Sequence, residues 1–187
     1  GRLVCCFRIL ALADGRAVAD SYSAQFYDLS ALARMRAPVI EVGRFCVAPD
    51  CHDPDILRLA WGGLTRYVDD RGAEMLIGCS SFPGTDARPY ADAFALLGQR
   101  HLAPEHWRPR VRAPRVVRLA GAHAPRADPA AAMRCMPPLL RTYLLMGGRV
   151  SDHAVIDESL RTLHVFTGLE IGAIPPARRR LLRAVAS

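Results

Sequence analysis

Lysine is absent from this 187-residue chain, and all 25 of its basic residues are arginine. That one-sidedness reflects in part a compositional bias, but the net charge of +7 stands regardless. A basic surface suits an acidic partner: nucleic acid, an anionic membrane or an acidic carrier protein. Also lacking is any apolar run near the roughly 20 residues that span a bilayer. The opening GRLVCCFRILAL does not have the layout of a secretory signal, so a cytoplasmic location is expected. Cys5, Cys6, Cys46, Cys51, Cys79 and Cys135 form no CxxC pair. Only the adjacent Cys51 and His52 hint at a ligand pair, so no metal site is expected. Neither an aromatic stacking platform nor a recognition-helix signature accompanies the arginines, which argues against nucleic acid.

What is present is a sequence 51% apolar, enough for one domain over residues 1–187 with a real core. Leu3–Leu12 reads as a strand closed by the Ala13-Asp14-Gly15 turn, and Val39–Ala48 as a second. Between them, residues 16–37 look like a connection holding a short helix. Asp53 suits a helix cap, Pro54 the first helical position and Asp55 the first turn. Ile56, Leu59, Ala60, Gly63, Leu64, Tyr67 and Val68 then recur at helical spacing as the expected buried face, and Gly72 ends the pattern. Glu74–Ser81 reads as a third strand, and strand-helix-strand order implies a crossover with parallel pairing. Thr85 or Asp86 can cap a second helix with Tyr90, Phe94, Leu97 and His101 on one face. Residues 104–126, rich in Arg and Pro, read as an irregular, mobile basic loop. Pro137-Pro138 open a helix that runs to Met146 and stops at Gly147-Gly148. Strands near 149–157 and 162–168 and a short basic helix from Pro175 complete an α/β (α+β) reading.

Within the second strand, IEVGRFCVAP carries Glu41 and Arg44 among Ile, Val, Phe and Cys. Buried charges need partners or a task. Positions three apart point to opposite faces of a regular strand. The two can share a face only across an interruption, which Gly43 makes least costly, so a bulge is expected at Val42-Gly43. Two readings stay open for the pair: a buried ion pair that orders the strand, or part of a site.

GRLVCCFRIL, IEVGRFCVAP, LAWGGLTRYV, LIGCSSFPGTD and MPPLLRTYLLMGGRVSDHAVID together resemble the ornithine N-acyltransferases, which make lyso-ornithine lipid from acyl carrier protein thioesters. The resemblance runs over nearly the whole chain and extends to the broader GNAT acetyltransferase fold. It implies a mixed central sheet with flanking helices, lacking the strand and helices that open the family's fold. The Glu-x-x-Arg motif is shared with acyl-homoserine lactone synthases, and Arg8 matches an arginine of both families. The resemblance further implies that the Glu41 strand splays from the next one and that the phosphopantetheine arm of the donor lies in the gap. No permanently bound cofactor is expected.

On that basis Glu41 is expected as the base for the amine, with Arg44 acting alongside it. Backbone N–H groups near Phe45, Cys46 and Val47 would stabilise the oxyanion, and Ser80 and Ser81 would contact the arm. Arg8 and Arg44 suit the carboxylate of an ornithine acceptor. Asp152 suits its side-chain ammonium, and His153 and His164 stand nearby. Asp53 and Asp55 occupy the place of the broader fold's glycine-rich loop and would repel a pyrophosphate. That favours a carrier protein, docked on Arg58, Arg66 and Arg71, over CoA. Trp107 and Arg178, Arg179, Arg180 and Arg183 suggest peripheral contact with an anionic inner membrane. Cys46 as an acyl-enzyme nucleophile is a second route, with direct transfer preferred. Other readings are a lactone synthase-like enzyme and a non-catalytic carrier- or lipid-binding domain.

Overall fold

A computed structural model describes residues 1–51, 53–119 and 127–186. In chain order the elements are β1 (Cys5–Leu12), β2 (Tyr27–Asp28), β3 (Val39–Val47), α1 (Pro54–Asp70), β4 (Met75–Pro83), α2 (Ala91–Arg100), β5 (Arg110–Val111) and β6 (Val116–Arg118). They continue as α3 (Pro129–Cys135), α4 (Pro138–Leu145), β7 (Arg149–Asp157), β8 (Thr162–Glu170) and α5 (Pro176–Ala186). Six strands form one mixed sheet in the order β1-β3-β4-β8-β7-β6. Only β3 and β4, joined through α1, run parallel. The expected α/β crossover is therefore present.

The two faces of the sheet differ in what covers them. Helices cover one face: Ile40, Val42, Leu76 and Leu169 pack on Trp61, Leu64 and Val68 of α1. Phe82, Leu163 and Val165 pack on α2 and α3. The opposite face is covered by three short 3-10 turns within residues 17–34 and by the segment around Trp107. Val39, Met75, Ile77 and Phe166 bury Val18, Tyr27, Leu32 and Trp107 there. Each such large side chain contributes about 1.5–3 kcal/mol by leaving water.

Local signals place α1 well. Asp53 caps it by accepting the Asp55 N–H at 2.8 Å, and Pro54 stands in its first turn. Its buried face is rotated from the expected one, however. Trp61 and Gly62 are buried, whereas Gly63 is exposed and Leu59 is 60% exposed. The cause is α5, whose Val185 lies where a Cβ on Gly62 would fall, so α1 packs against both the sheet and a second helix. Residues 104–119 are less irregular than expected. Val111 pairs with Tyr27, Val116 with Val155, and Trp107 is buried at 3% exposure against Phe166. Trp107 is therefore a core residue and not a membrane contact. Residues 120–126 of that segment, like His52, lie outside the described residues.

α5 likewise has structural partners. Arg179 donates to the carbonyls of Ile171, Gly172 and Ile174, and Arg183 pairs with Asp69 at 2.9 Å. Among the described residues no helix is long and apolar enough to cross a membrane. No three His, Cys, Asp or Glu side chains among them converge as a metal site.

Candidate active site

β3 pairs with β4 only from Val39–Met75 to Val42–Gly78 and then parts from it, while β4 continues beside β8 as far as Pro83. Gly78 marks the divergence, for a Cβ there would stand 2.4 Å from the Val42 carbonyl oxygen. The gap opens a cavity of about 290 Å³. Tyr22, Arg8 and Arg44 line it on the side of the 3-10 turns, and Pro137, Leu139 and Tyr143 of the α4 region line the other.

β3 is bulged, at Arg44-Phe45 rather than at the expected Val42-Gly43. Cys6 pairs with Cys46 but Arg8 pairs with Gly43, so Arg44 and Phe45 together oppose Phe7. The residue in the left-handed region is Arg44, at φ 54°. A non-glycine residue held there stores strain of about 1–2 kcal/mol, which is a common mark of a functional position. The extra residue brings Arg44 to the face that already holds Glu41 and Arg8. Both guanidinium carbons lie over the Tyr22 ring, at 5.7 Å for Arg8 and 5.5 Å for Arg44. Phe45 turns to the other face and stacks on Phe7 at 5.3 Å.

Glu41 is 2% exposed, and its carboxylate is occupied. It accepts the Tyr22 N–H at 2.9 Å, the Ser23 N–H at 2.8 Å and the Ser23 hydroxyl at 2.6 Å, with Arg8 Nη2 at 3.7 Å from Oε2. These contacts tie β3 to the start of the 3-10 turn at Ser23–Gln25 and hold Tyr22 under the two arginines. These bonds make Glu41 an anchor between β3 and the 3-10 segment. Sequence reasoning missed Tyr22 and Ser23 because they belong to an irregular segment that no periodicity marks.

The remaining expected residues divide. Ser80, Ser81 and Phe45 line the cavity, although the Ser80 hydroxyl is engaged with Thr167 at 3.2 Å. Cys46 and Val47 are exposed and do not line it, which removes support for Cys46 as a nucleophile. Cys79 does line it, but burial pushes its thiol up to about 12, so it stays protonated and inert. Asp152 and His153 are not at the site. Asp152 pairs with Arg118 at 2.8 Å and with His153 Nδ1 at 2.6 Å, and it lines a separate hollow beside Arg108 and Arg110. His164 does reach the cavity. Arg58, Arg66 and Arg71 are all exposed, the first two along α1 and Arg71 just beyond its end. Arg58 pairs with Asp55 at 3.2 Å, and Arg71 lies over the Tyr67 ring at 4.6 Å.

The bulged strand, the splay between two parallel strands and the cavity through the gap agree with the splayed sheet that the resemblance to N-acyltransferases implies. Residues 1–62, which hold β1, β3 and the start of α1, match the acetyltransferase (GNAT) domain family. The chain is 33% identical over 178 residues to the L-ornithine N(alpha)-acyltransferase of Rhodobacter capsulatus, covering 95% of this chain and 68% of that one. It is 33% identical over 136 residues to the enzyme of the same name from Rhizobium meliloti, covering 72% of this chain and 46% of that one. Identity to the Brucella abortus enzyme of that name is 29% over 175 residues, 92% of this chain and 62% of the relative. The chain belongs to the L-ornithine N(alpha)-acyltransferase family, and it spans about half to two thirds of the length of these relatives. No solved structure matches it.

Proposed function

We propose that this protein moves an acyl chain, 3-hydroxylated in the expected case, from acyl carrier protein to the α-amine of ornithine, giving lyso-ornithine lipid. The observation that carries this reading is the cavity at the β3–β4 gap, with two arginines at its turn-side wall. Arg8 and Arg44 offer forked donors to the acceptor carboxylate, and Tyr22 holds both in place. The phosphopantetheine arm enters along the wall formed by Pro137, Leu139 and Tyr143, within reach of Ser80 and Ser81.

β3 has no β4 partner beyond Val42, so N–H groups that would have bonded to β4 face the gap. They stabilise the oxyanion as the amine adds to the thioester carbonyl. The C–N bond forms, the C–S bond breaks, and the electron pair leaves with the pantetheine sulfur. With Glu41 occupied by Tyr22 and Ser23, the amine proton departs through water in the mouth of the cavity.

A carrier protein is the donor that best suits the front of α1. Asp53 caps that helix with its own carboxylate, and Asp55 follows it, leaving no place for a pyrophosphate. Exposed Arg58 and Arg66 on the same helix, with Arg71 just beyond its end, offer the acidic carrier a docking face. Contact with an anionic membrane through the outward arginines of α5 would place the product where it partitions. The test is incubation with 3-hydroxyacyl carrier protein or 3-hydroxyacyl-CoA and a panel of amino acids, read by mass spectrometry. Acylornithine from the carrier thioester is expected. Equal use of the CoA thioester, or no preference for ornithine, would overturn the respective half of the reading.

A further inference from the structure

The β7–β8 hairpin carries four buried polar atoms without a hydrogen-bond partner among the described residues: His153 Nε2, beside Tyr27, and three at the closed end of the hairpin. Asp157 pairs with Thr162 and Val155 with His164, so Asp157, Thr162 and His164 stand on one face at the end of the hairpin. Asp157 is 5% exposed and His164 2%. Asp157 Oδ1 accepts the Ser159 hydroxyl at 2.6 Å and the Leu160 N–H at 3.0 Å. Its Oδ2, Thr162 Oγ1 and His164 Nε2 are all buried without a hydrogen-bond partner among the described residues. Three such atoms side by side call for a ligand, because each unpaired buried polar group costs about 1–3 kcal/mol.

Their chemistry is that of acceptors. Tyr27 gives its single hydroxyl proton to the His164 carbonyl at 2.7 Å, so its 3.2 Å contact with Nδ1 requires Nδ1–H as donor. The proton is thus on Nδ1, and Nε2 presents a lone pair. Burial holds His164 neutral, with its pKa pushed down to about 4, whereas Asp157 is held below the usual carboxylate range despite its burial by its bonds to Ser159 and Leu160. Of the three residues His164 lines the cavity, beside Leu160, Tyr22 and Cys79, and Asp157 and Thr162 adjoin it on the hairpin without lining the cavity themselves. Arg8 and Arg44 thus stand at the β1–β3 end of the cavity and His164 at its β7–β8 end.

We infer that Asp157 Oδ2, His164 Nε2 and Thr162 Oγ1 form a subsite for the side-chain ammonium of a diamino-acid acceptor, whose carboxylate is held by Arg8 and Arg44. An ammonium has three N–H donors, and the hairpin offers three acceptors and one compensating charge. The subsite takes the duty that sequence reasoning had given to Asp152, five residues earlier on the same strand. It rests on the acyltransferase reading above.

The experiment compares kcat/KM for ornithine and for norvaline, the same amino acid without the second amine, in the wild type and in Asp157→Asn. The asparagine oxygen retains the bonds from Ser159 and Leu160, and circular dichroism checks the fold. Wild type should prefer ornithine, and the variant should lose roughly 10- to 100-fold of that preference, the loss falling on ornithine far more than on norvaline. Equal losses on both substrates would overturn the subsite and leave the three atoms to an ordered water. His164→Gln is the second variant should Asp157→Asn unfold, with the same expectation. If no amine is acylated at all, calorimetric titration with ornithine and norvaline separates the two failures. An ornithine preference abolished by Asp157→Asn keeps the subsite while the acyltransferase reading fails, and indistinguishable binding of the two removes the subsite.

Discussion

Replacing Glu41 by glutamine separates an anchor from a base. Oε1 accepts two bonds from Ser23 and Oε2 one from Tyr22, so every near neighbour of the carboxylate is a donor. Glutamine supplies only one oxygen. Turned towards Ser23, it keeps two bonds and sets its NH2 against the Tyr22 N–H. A bond to a charged acceptor is then lost and a backbone donor is left unpaired, which together amount to about 3 kcal/mol. For a chain of this size that corresponds to a fall in Tm of about 6–12 °C. Thermal unfolding by circular dichroism and steady-state acylation, measured on the same sample below the transition, make the assay. We expect the midpoint to fall and acceptor KM to rise as Tyr22 loosens beneath Arg8 and Arg44. An unchanged midpoint with collapsed turnover would refute the anchor and return Glu41 to proton transfer.

Three further outcomes follow from other parts of the structure. Arg44→Gly should leave stability within about 1 kcal/mol of wild type, since relief of left-handed strain offsets the freedom of glycine in the unfolded chain, while acceptor KM rises roughly tenfold or more; unfolding curves and kinetics read the two separately. Gly78→Ala places a Cβ 2.4 Å from the Val42 carbonyl oxygen, so it should destabilise by about 1–3 kcal/mol and shift the start of the gap, as read by urea unfolding and donor KM. Stability should also fall as pH drops from about 6.5 to about 4, because the unfolded chain binds a proton at His164 that the folded chain refuses until about pH 4. The change is up to roughly 3 kcal/mol, and urea midpoints of His164→Gln should follow a flatter profile.

The regular part of this fold was legible because its signals are local. Asp53, Pro54 and Gly72 bracket α1, the β3-α1-β4 order dictates the crossover, and Pro138 and Gly147 bracket α4. The rotation of α1 was not legible, because α5 approaches from more than a hundred residues away. Glu41 stood out as a charge in an apolar strand, but its partners Tyr22 and Ser23 lie 19 and 18 residues earlier in aperiodic turns. The bulge was inferred from glycine's tolerance and fell instead on Arg44, where the strain places a side chain. Asp157 closes the expected strand 149–157 and was not singled out there. Alternation put Thr162 and His164 on one side of their strand, but only the observed register sets Asp157 beside them.

The gap between β3 and β4 makes the sheet a perforated partition rather than a wall. Arg8, Tyr22 and Arg44 stand on one side of the opening, Leu139 and Tyr143 on the other. A small zwitterion and a tethered thioester can therefore approach from opposite sides without crossing each other's path. On the proposed function neither blocks the arrival of the other, so the ternary complex assembles in either order and the kinetics are sequential rather than ping-pong.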